Sequence, residues 1–311
     1  MPEGSPWPRI SIVTPSFNQG QYIEETIRSV LLQGYPNLEY IIIDGGSTDN
    51  SVEIIKKYEK WLTYWVSEAD RGQSHAINKG FARSTALLGN WLNSDDVLLR
   101  GALKAIANSY RQGGGCGFIV GRSEHRNPTG EAVWHKVEVL PLHTHDLLDY
   151  FLGVYIPQPS CFFELELYRK AGKLDETLHY AMDLDLWLKL ASFGPGRTVD
   201  AICSWTRVHE NAKTFSGGNL LTEEVEAILL RRADKLFARR IKRAAMRRRI
   251  RDAYGEFRLS CEKRNYCEGF IGVAQFLIQY PEGLIEILPI AKSKMLNGLT
   301  SRRAVVVEND A

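Results

Sequence analysis

The chain has 311 residues, 44% of them hydrophobic and 24% charged, with a net charge of +2; that is long enough for one large domain with an appendage or for two domains, and too evenly charged for composition to name a partner. Its five cysteines, Cys116, Cys161, Cys203, Cys261 and Cys267, include no C-x-x-C pair, which argues against a disulfide framework or a zinc site and makes a reducing cytoplasm the expected setting. Met1 to Arg9 lacks the basic-then-apolar pattern of a secretory signal, and the best apolar stretch, Phe270 to Ile278, is about half the length a bilayer span requires.

Ile10 to Val13 reads as a short buried strand with an abrupt exit at Thr14-Pro15, because a β-branched apolar run stops where proline removes a backbone donor. Gln21 to Leu32 then carries Ile23, Ile27, Val30 and Leu31 at helical spacing. A second strand, Tyr40 to Ile43, ends in Asp44-Gly45-Gly46-Ser47, and Ser51 to Tyr58 resumes the helical period. Trp65 to Ser67, Ser74 to Arg83 and Trp91-Leu92 extend the alternation as strand, helix and strand. This order predicts an α/β fold with parallel strands joined by crossover helices, and ligands bind such sheets beyond the strands' carboxyl ends.

Ala102 to Tyr110 is expected as a helix closed by Gly113-Gly114-Gly115, and Phe118 to Gly121 as a further strand. Glu131 to Pro159 has little pattern. Asp183 to Ala191 is expected as a helix with Leu184, Trp187, Leu188 and Ala191 on one face. From Thr222 a long helical pattern places Leu230, Ala233, Phe237, Ile241 and Ala244 in one stripe, and Arg231 to Arg251 holds eleven Arg or Lys against a single acid, Asp234. That stripe either packs on the rest of the protein with its charges in water or lies on an anionic membrane surface.

Two polar turns can carry chemistry. Asp44, ending a buried strand beside glycines, can accept a hydrogen bond from a base or ribose, or can simply hold its own turn. Asn93-Ser94-Asp95-Asp96 offers hard oxygen ligands of the kind Mg²⁺ or Mn²⁺ prefers, or caps the helix that follows.

The order of blocks resembles family 2 glycosyltransferases, which share the GT-A fold. The likeness runs through Ser11-Ile12-Val13-Thr14-Pro15-Ser16-Phe17-Asn18, Ile43-Asp44-Gly45-Gly46-Ser47-Thr48-Asp49, Glu68-Ala69-Asp70-Arg71-Gly72, Ala76-Ile77-Asn78-Lys79-Gly80 and Leu92-Asn93-Ser94-Asp95-Asp96. It continues less sharply through Gly172 to Glu176, Tyr180 to Trp187 and Arg207-Val208-His209.

The resemblance implies a Rossmann-like, mostly parallel sheet flanked by helices over residues 1–218, with 219–311 as a basic helical extension. It implies a nucleotide-diphospho-sugar donor, lined by Thr14, Pro15, Phe17, Asn18, Asp44, Gly46, Arg71, Asn78 and the turn Asn93, Ser94, Asp95, Asp96. It further implies a divalent metal, Mn²⁺ or Mg²⁺, on Asp95 with Asp96 and His209, and Asp183 as catalytic base with Asp185 as its rival. The family's acidic turn often opens with Asp where this chain has Asn93, and its Glu-Asp pair is here Met182-Asp183. The expected reaction is inverting transfer to a hydroxyl of a saccharide or lipid-linked acceptor in polysaccharide or glycoconjugate assembly, by a cytoplasmic protein peripheral to the inner face of a membrane. The alternatives are a non-catalytic sugar-nucleotide-binding module, a nucleic-acid-binding protein using the basic helix, and a nucleotidyltransferase. The last normally carries a basic, glycine-rich loop after its first strand, and Thr14 to Gln21 has no basic residue. No nucleic-acid partner is expected.

Overall fold

The computed structural model describes residues 7–113, 116–127, 129–136, 143–154, 156–209, 212–213, 217–263 and 265–281. The chain divides into two compact units, Met1–Ile228 and Leu229–Ala311.

The first unit opens with β1 (Ile10–Ser16), α1 (Ile23–Leu31), β2 (Leu38–Asp44), α2 (Ser51–Tyr58), β3 (Tyr64–Ser67), α3 (Gln73–Arg83) and β4 (Leu88–Trp91). There follow β5 (Val97–Leu98), α4 (Ala102–Arg111), β6 (Ile119–Arg126), β7 (Ala132–Lys136), α5 (Thr144–Leu147), β8 (Cys161–Glu164), α6 (Leu165–Lys170), α7 (Met182–Leu190), β9 (Arg197–Arg207) and α8 (Gly218–Leu230), whose last two residues belong to the second unit. The strands form one sheet in the order β3-β2-β1-β4-β8-β6-β9-β5, with β7 on β6. The first four strands are parallel, as expected. Beyond β4 the sheet is mixed: β8 is antiparallel to β4 and β6, while β6 and β9 run parallel.

Alternation along the strands separates two cores. Ile10, Ile12, Tyr40 and Ile42 face a cluster with Ile23, Ile27 and Val30 of α1, Ile54 and Ile55 of α2, and Leu103 and Ile106 of α4. On the other face, Gly80 of α3 lies so close to Val13 that an added Cβ would stand 2.5 Å from its side chain. An aromatic cluster continues that face: Trp91 stacks on Trp187 with centroids 5.6 Å apart, and Phe163 touches Phe81, Tyr168 and Trp187.

β1 runs to Ser16 rather than leaving the sheet at Thr14-Pro15. Residue 13 faces β4, since Leu92 N–H donates to Val13 O, whereas Gly45 N–H of the β2 side donates to Ser16 O. Pro15 therefore points to the side where β4 has already ended, and its missing donor breaks no ladder bond.

The second unit contains α9 (Lys235–Glu262) and α10 (Tyr266–Gln279). The single stripe expected from Leu230 to Ala244 is instead split between α8 and α9. Asp234 causes the break: its Oδ1 accepts the N–H groups of Leu236 and Phe237 at 2.9 and 2.8 Å, starting a new helix. Among the described residues no helix is long and apolar enough to cross a membrane. Gly114, Gly115 and the apolar stretch Leu284–Ile290 lie outside the described residues.

Candidate active site

The order β3-β2-β1-β4 reverses direction at β1, so a crevice opens beyond the carboxyl ends of β1 and β4. Its walls are the loops after β1, β2 and β4. The first two are tied together: Asn18 N–H donates to Ser47 Oγ (2.8 Å), Thr48 N–H to Asn18 Oδ1 (2.9 Å), and Gly20 N–H to Asp49 Oδ2 (2.8 Å). Asn18 holds a left-handed φ of 52° to make these bonds.

Asp44 is fully buried and organises its own loop. Its Oδ2 accepts Gly46 N–H, Ser47 N–H and Ser67 Oγ–H, and its Oδ1 accepts Ser47 Oγ–H at 2.6 Å. Gly46 supplies the positive φ, 84°, that lets the chain turn around this carboxylate.

Three residues expected to line the crevice are committed elsewhere. Thr14 is buried with its hydroxyl 3.1 Å from Tyr40 Oη, and Pro15 is buried in the sheet, both because β1 extends past them. Asn78 spends its amide on protein partners: Nδ2 donates to Leu174 O and Glu176 Oε1, while Oδ1 accepts Tyr168 Oη–H and Leu174 N–H. It fastens α3 to the 174–176 segment. Phe17 is 59% exposed at the crevice, and Arg71 is exposed and paired with Glu176 at 2.6 Å.

The acidic turn after β4 is held from three sides. Thr26 of α1 donates its hydroxyl to the carbonyls of Ser94 and Asp96 at 2.9 and 2.8 Å. Arg207, at the end of β9, donates Nε–H to Asp95 O, its backbone N–H to Asp96 Oδ1 and Nη2–H to Glu25. Asn93 donates to Asp96 Oδ2 at 3.2 Å and accepts from Gln73 at 2.7 Å. An amide can do both, whereas a carboxylate at 93 would add repulsion beside Asp96. Asp96 is buried, and burial together with the neighbouring Asp95 pushes its carboxyl well above the usual range.

Asp95 and His209 converge: Nε2 of the imidazole lies 3.0 Å from Asp95 Oδ2. A carboxylate oxygen and an imidazole nitrogen this close could together hold a divalent ion such as Mg²⁺ or Mn²⁺. The His209 ring packs on Tyr22, with centroids 5.1 Å apart, and its buried Nδ1 has no hydrogen-bond partner among the described residues. Asp96, turned to Arg207 and Asn93, supports the turn. Among the described residues no three acidic, His or Cys side chains form a larger metal cluster.

Asp183 stands in the first turn of α7 and lines a small cavity with Leu147, Tyr150, Val154, Ile156, Leu184 and Trp187. Burial pushes its pKa up to about 6, against the lowering pull of Leu184 N–H and the Lys213 charge. Asp185, its rival, is buried and paired with Lys189 at 2.6 Å. Consecutive residues of α3 bridge the acidic turn and α7: Gln73 bonds Asn93 and Ser74 donates to Met182 Sδ. Lys213 Nζ reaches Gln73 Oε1 (3.0 Å) and His179 O (2.7 Å). Sequence reasoning overlooked Gln73, Lys213 and Thr26; no local pattern marks them, since each acts across at least 20 positions of chain.

Comparison with known proteins follows the same lines. The Glycosyl transferase family 2 profile matches residues 11–172. An uncharacterized glycosyltransferase of Rickettsia typhi is 28% identical over 234 residues, covering 71% of this chain and 70% of that protein. The putative teichuronic acid biosynthesis glycosyltransferase TuaG of Bacillus subtilis is 39% identical over 92 residues, 29% of this chain and 36% of its own. Among solved structures, S. aureus TarS 1-349 in complex with UDP-GlcNAc aligns with a TM-score of 0.58 at 14% identity, covering 86% of this chain and 80% of that one. The mannosyltransferase PcManGT from Pyrobaculum calidifontis, in complex with GDP-Man and Mn²⁺, aligns with a TM-score of 0.56 at 15% identity over 96% and 85% of the two chains. The fold is thus of the GT-A type.

Proposed function

The chain belongs to glycosyl transferase family 2, and from that premise we propose that it moves a sugar, with inversion, from a nucleotide-diphospho-sugar to a hydroxyl of a saccharide or lipid-linked acceptor. The observation that carries this reading is the pairing of two chemistries across α3: an Asp95–His209 pair on one side and a desolvated Asp183 on the other, bridged by Gln73 and Ser74. The nucleotide lies against Phe17, Asn18 and Gly46. A base or ribose donor reaches Asp44 by taking the place of Ser47 Oγ on Oδ1. Arg71 exchanges Glu176 for the donor's phosphates.

A divalent ion held by Asp95 and His209 would neutralise the diphosphate and its developing charge. Asp183 accepts the proton of the acceptor hydroxyl while that oxygen attacks the anomeric carbon. The bond from that carbon to the diphosphate oxygen breaks as the new one forms on the opposite face, and the nucleoside diphosphate leaves. No protein nucleophile is needed. A carboxyl with a pKa of about 6 is ionised at neutral pH and remains a stronger base than an exposed aspartate.

The experiment is release of nucleoside diphosphate from a panel that includes UDP-GlcNAc and GDP-mannose, with and without Mn²⁺, by the native protein and Asp183→Asn. Metal-dependent release from one donor, lost in the variant, supports the reading; equal release by both removes Asp183 from the mechanism.

The second unit supplies a surface for a membrane-borne acceptor. On α9, Arg239, Arg240, Lys242, Arg243, Arg247 and Arg251 are exposed. On α10, Phe270, Ile271 and Ile278 are 64%, 56% and 81% exposed. Cations beside exposed apolar side chains suit an anionic lipid interface.

A further inference from the structure

The segment leading into α7 is gripped by a carboxylate from α8. Glu224 Oε1 accepts the N–H of His179 at 2.9 Å, and its Oε2 accepts those of Tyr180 at 2.7 Å and Ala181 at 3.0 Å. Three consecutive backbone donors thus converge on one carboxylate, an arrangement of the stronger, charge-assisted kind. The next two residues are Met182 and Asp183. The residue just before α8 packs against the same place: a Cβ on Gly217 would stand 2.8 Å from the Tyr180 ring. Lys213 completes the arrangement by donating to His179 O, and its charge interacts with both Glu224 and Asp183.

We infer that Glu224 is a positioning residue for Asp183, fixing the turn that presents the base and balancing the Lys213 charge beside it. The inference rests on the reading of Asp183 as the base. The Asp183 side chain accepts Leu184 N–H of its own helix at 2.7 Å, so its aim depends on where residues 179–181 hold the helix start. A displacement of about 1 Å at a reacting group can cost roughly a hundredfold in rate. The groups facing Asp183 are Lys213, Cys161 on β8, Tyr150 and Trp187 of the shared cavity, and Asp185 on its own helix, already paired with Lys189. Removing the negative charge of Glu224 leaves Lys213 and three N–H dipoles unbalanced, which favours ionised Asp183 and weakens it as a base.

The test compares Glu224→Gln, Glu224→Asp and the exposed neighbour Glu223→Gln with the native protein. Amide exchange over residues 178–186 needs no substrate; the amides of 179–181 should exchange at least tenfold faster in Glu224→Gln and unchanged in Glu223→Gln. Nucleotide release from the donor that the native protein uses best should show kcat reduced at least tenfold, KM within threefold, and an acid limb moved to lower pH. Glu224→Asp, which keeps the charge, should recover part of the rate and return the limb, and it serves as the main variant if Glu224→Gln does not fold. Native exchange rates, or a rate and pH profile in Glu224→Gln like those of Glu223→Gln, would overturn the inference. Asp183→Asn separates the two claims: if that variant turns over normally the base assignment fails, whereas an inactive Asp183→Asn beside a normal Glu224→Gln defeats only the role of Glu224.

Discussion

At the scale of single residues, the raised carboxyl of Asp183 makes two linked predictions. As a base it must be ionised, so kcat/KM should fall as pH drops through about 6, and Asp183→Asn should lose on the order of 10²–10⁴ in rate. The same shift has a stability cost. A carboxyl whose folded pKa exceeds its unfolded one binds its proton more tightly when folded, so stability falls as pH rises from about 4 to about 6 and stays lowered above. Asp183→Asn should therefore be more stable than the native protein by roughly 1–3 kcal/mol at pH 7.5, the difference vanishing near pH 4 in urea titrations. A variant that is inactive and less stable at neutral pH would contradict the desolvated base. Asn93→Asp should lower stability by about 1–3 kcal/mol in the absence of metal, since it removes the donor to Asp96 and adds a like charge; urea melts read this directly. Of the proposed site, the motifs that carry Asp95, His209 and Asp183 stand out in the sequence because they fall at strand and helix ends. Thr14, Pro15 and Asn78, expected to line the crevice, are buried or bonded within the protein, because a motif fixes chain position but not side-chain direction. Ladder pairing that continues from Thr14 to Ser16 buries the first two, and the 174–176 segment holds the third.

At the scale of elements, hydrophobic period located the three β-α units and β4 to within about three residues, since each buries one face against the sheet. The mixed half, β5 to β9, was poorly legible. Its strands pair across long sequence gaps, as β6 does with β9, and the weak pattern from Glu131 to Pro159 covers β7 and α5, which are only 5 and 4 residues long. The one glycine of α3 that contacts Val13 sets how near that helix approaches β1. Gly80→Ala should cost about 1–3 kcal/mol by overpacking, seen as a lower urea midpoint with an unchanged slope; a neutral result would mean that α3 moves away freely. The break between α8 and α9 carried a local signal, Asp234 ahead of a helical run, which the basic composition around it obscured.

At the scale of the whole molecule, the proposal places transfer in the unit Met1–Ile228 and an anionic lipid surface on Leu229–Ala311. Vesicle flotation should show binding to phosphatidylglycerol-containing but not neutral vesicles, weakening as salt rises, and reduced by joint replacement of Arg239, Arg240, Arg243 and Arg247 with Gln. Salt-insensitive binding, or none, would remove the membrane role and leave the transferase reading intact. That reading is tested most directly by thermal unfolding of the native protein and Asp95→Ala with UDP, GDP, dTDP and CDP, each with and without Mn²⁺. A ligand that binds only the folded state at a hundred times its Kd stabilises by about 2.7 kcal/mol, which is roughly 5–10 °C for a domain of this size. One nucleotide should produce such a shift with Mn²⁺, little without it, and none in Asp95→Ala; an unmoved midpoint with every nucleotide, in a protein that unfolds cooperatively, would contradict a metal-assisted nucleotide-sugar site.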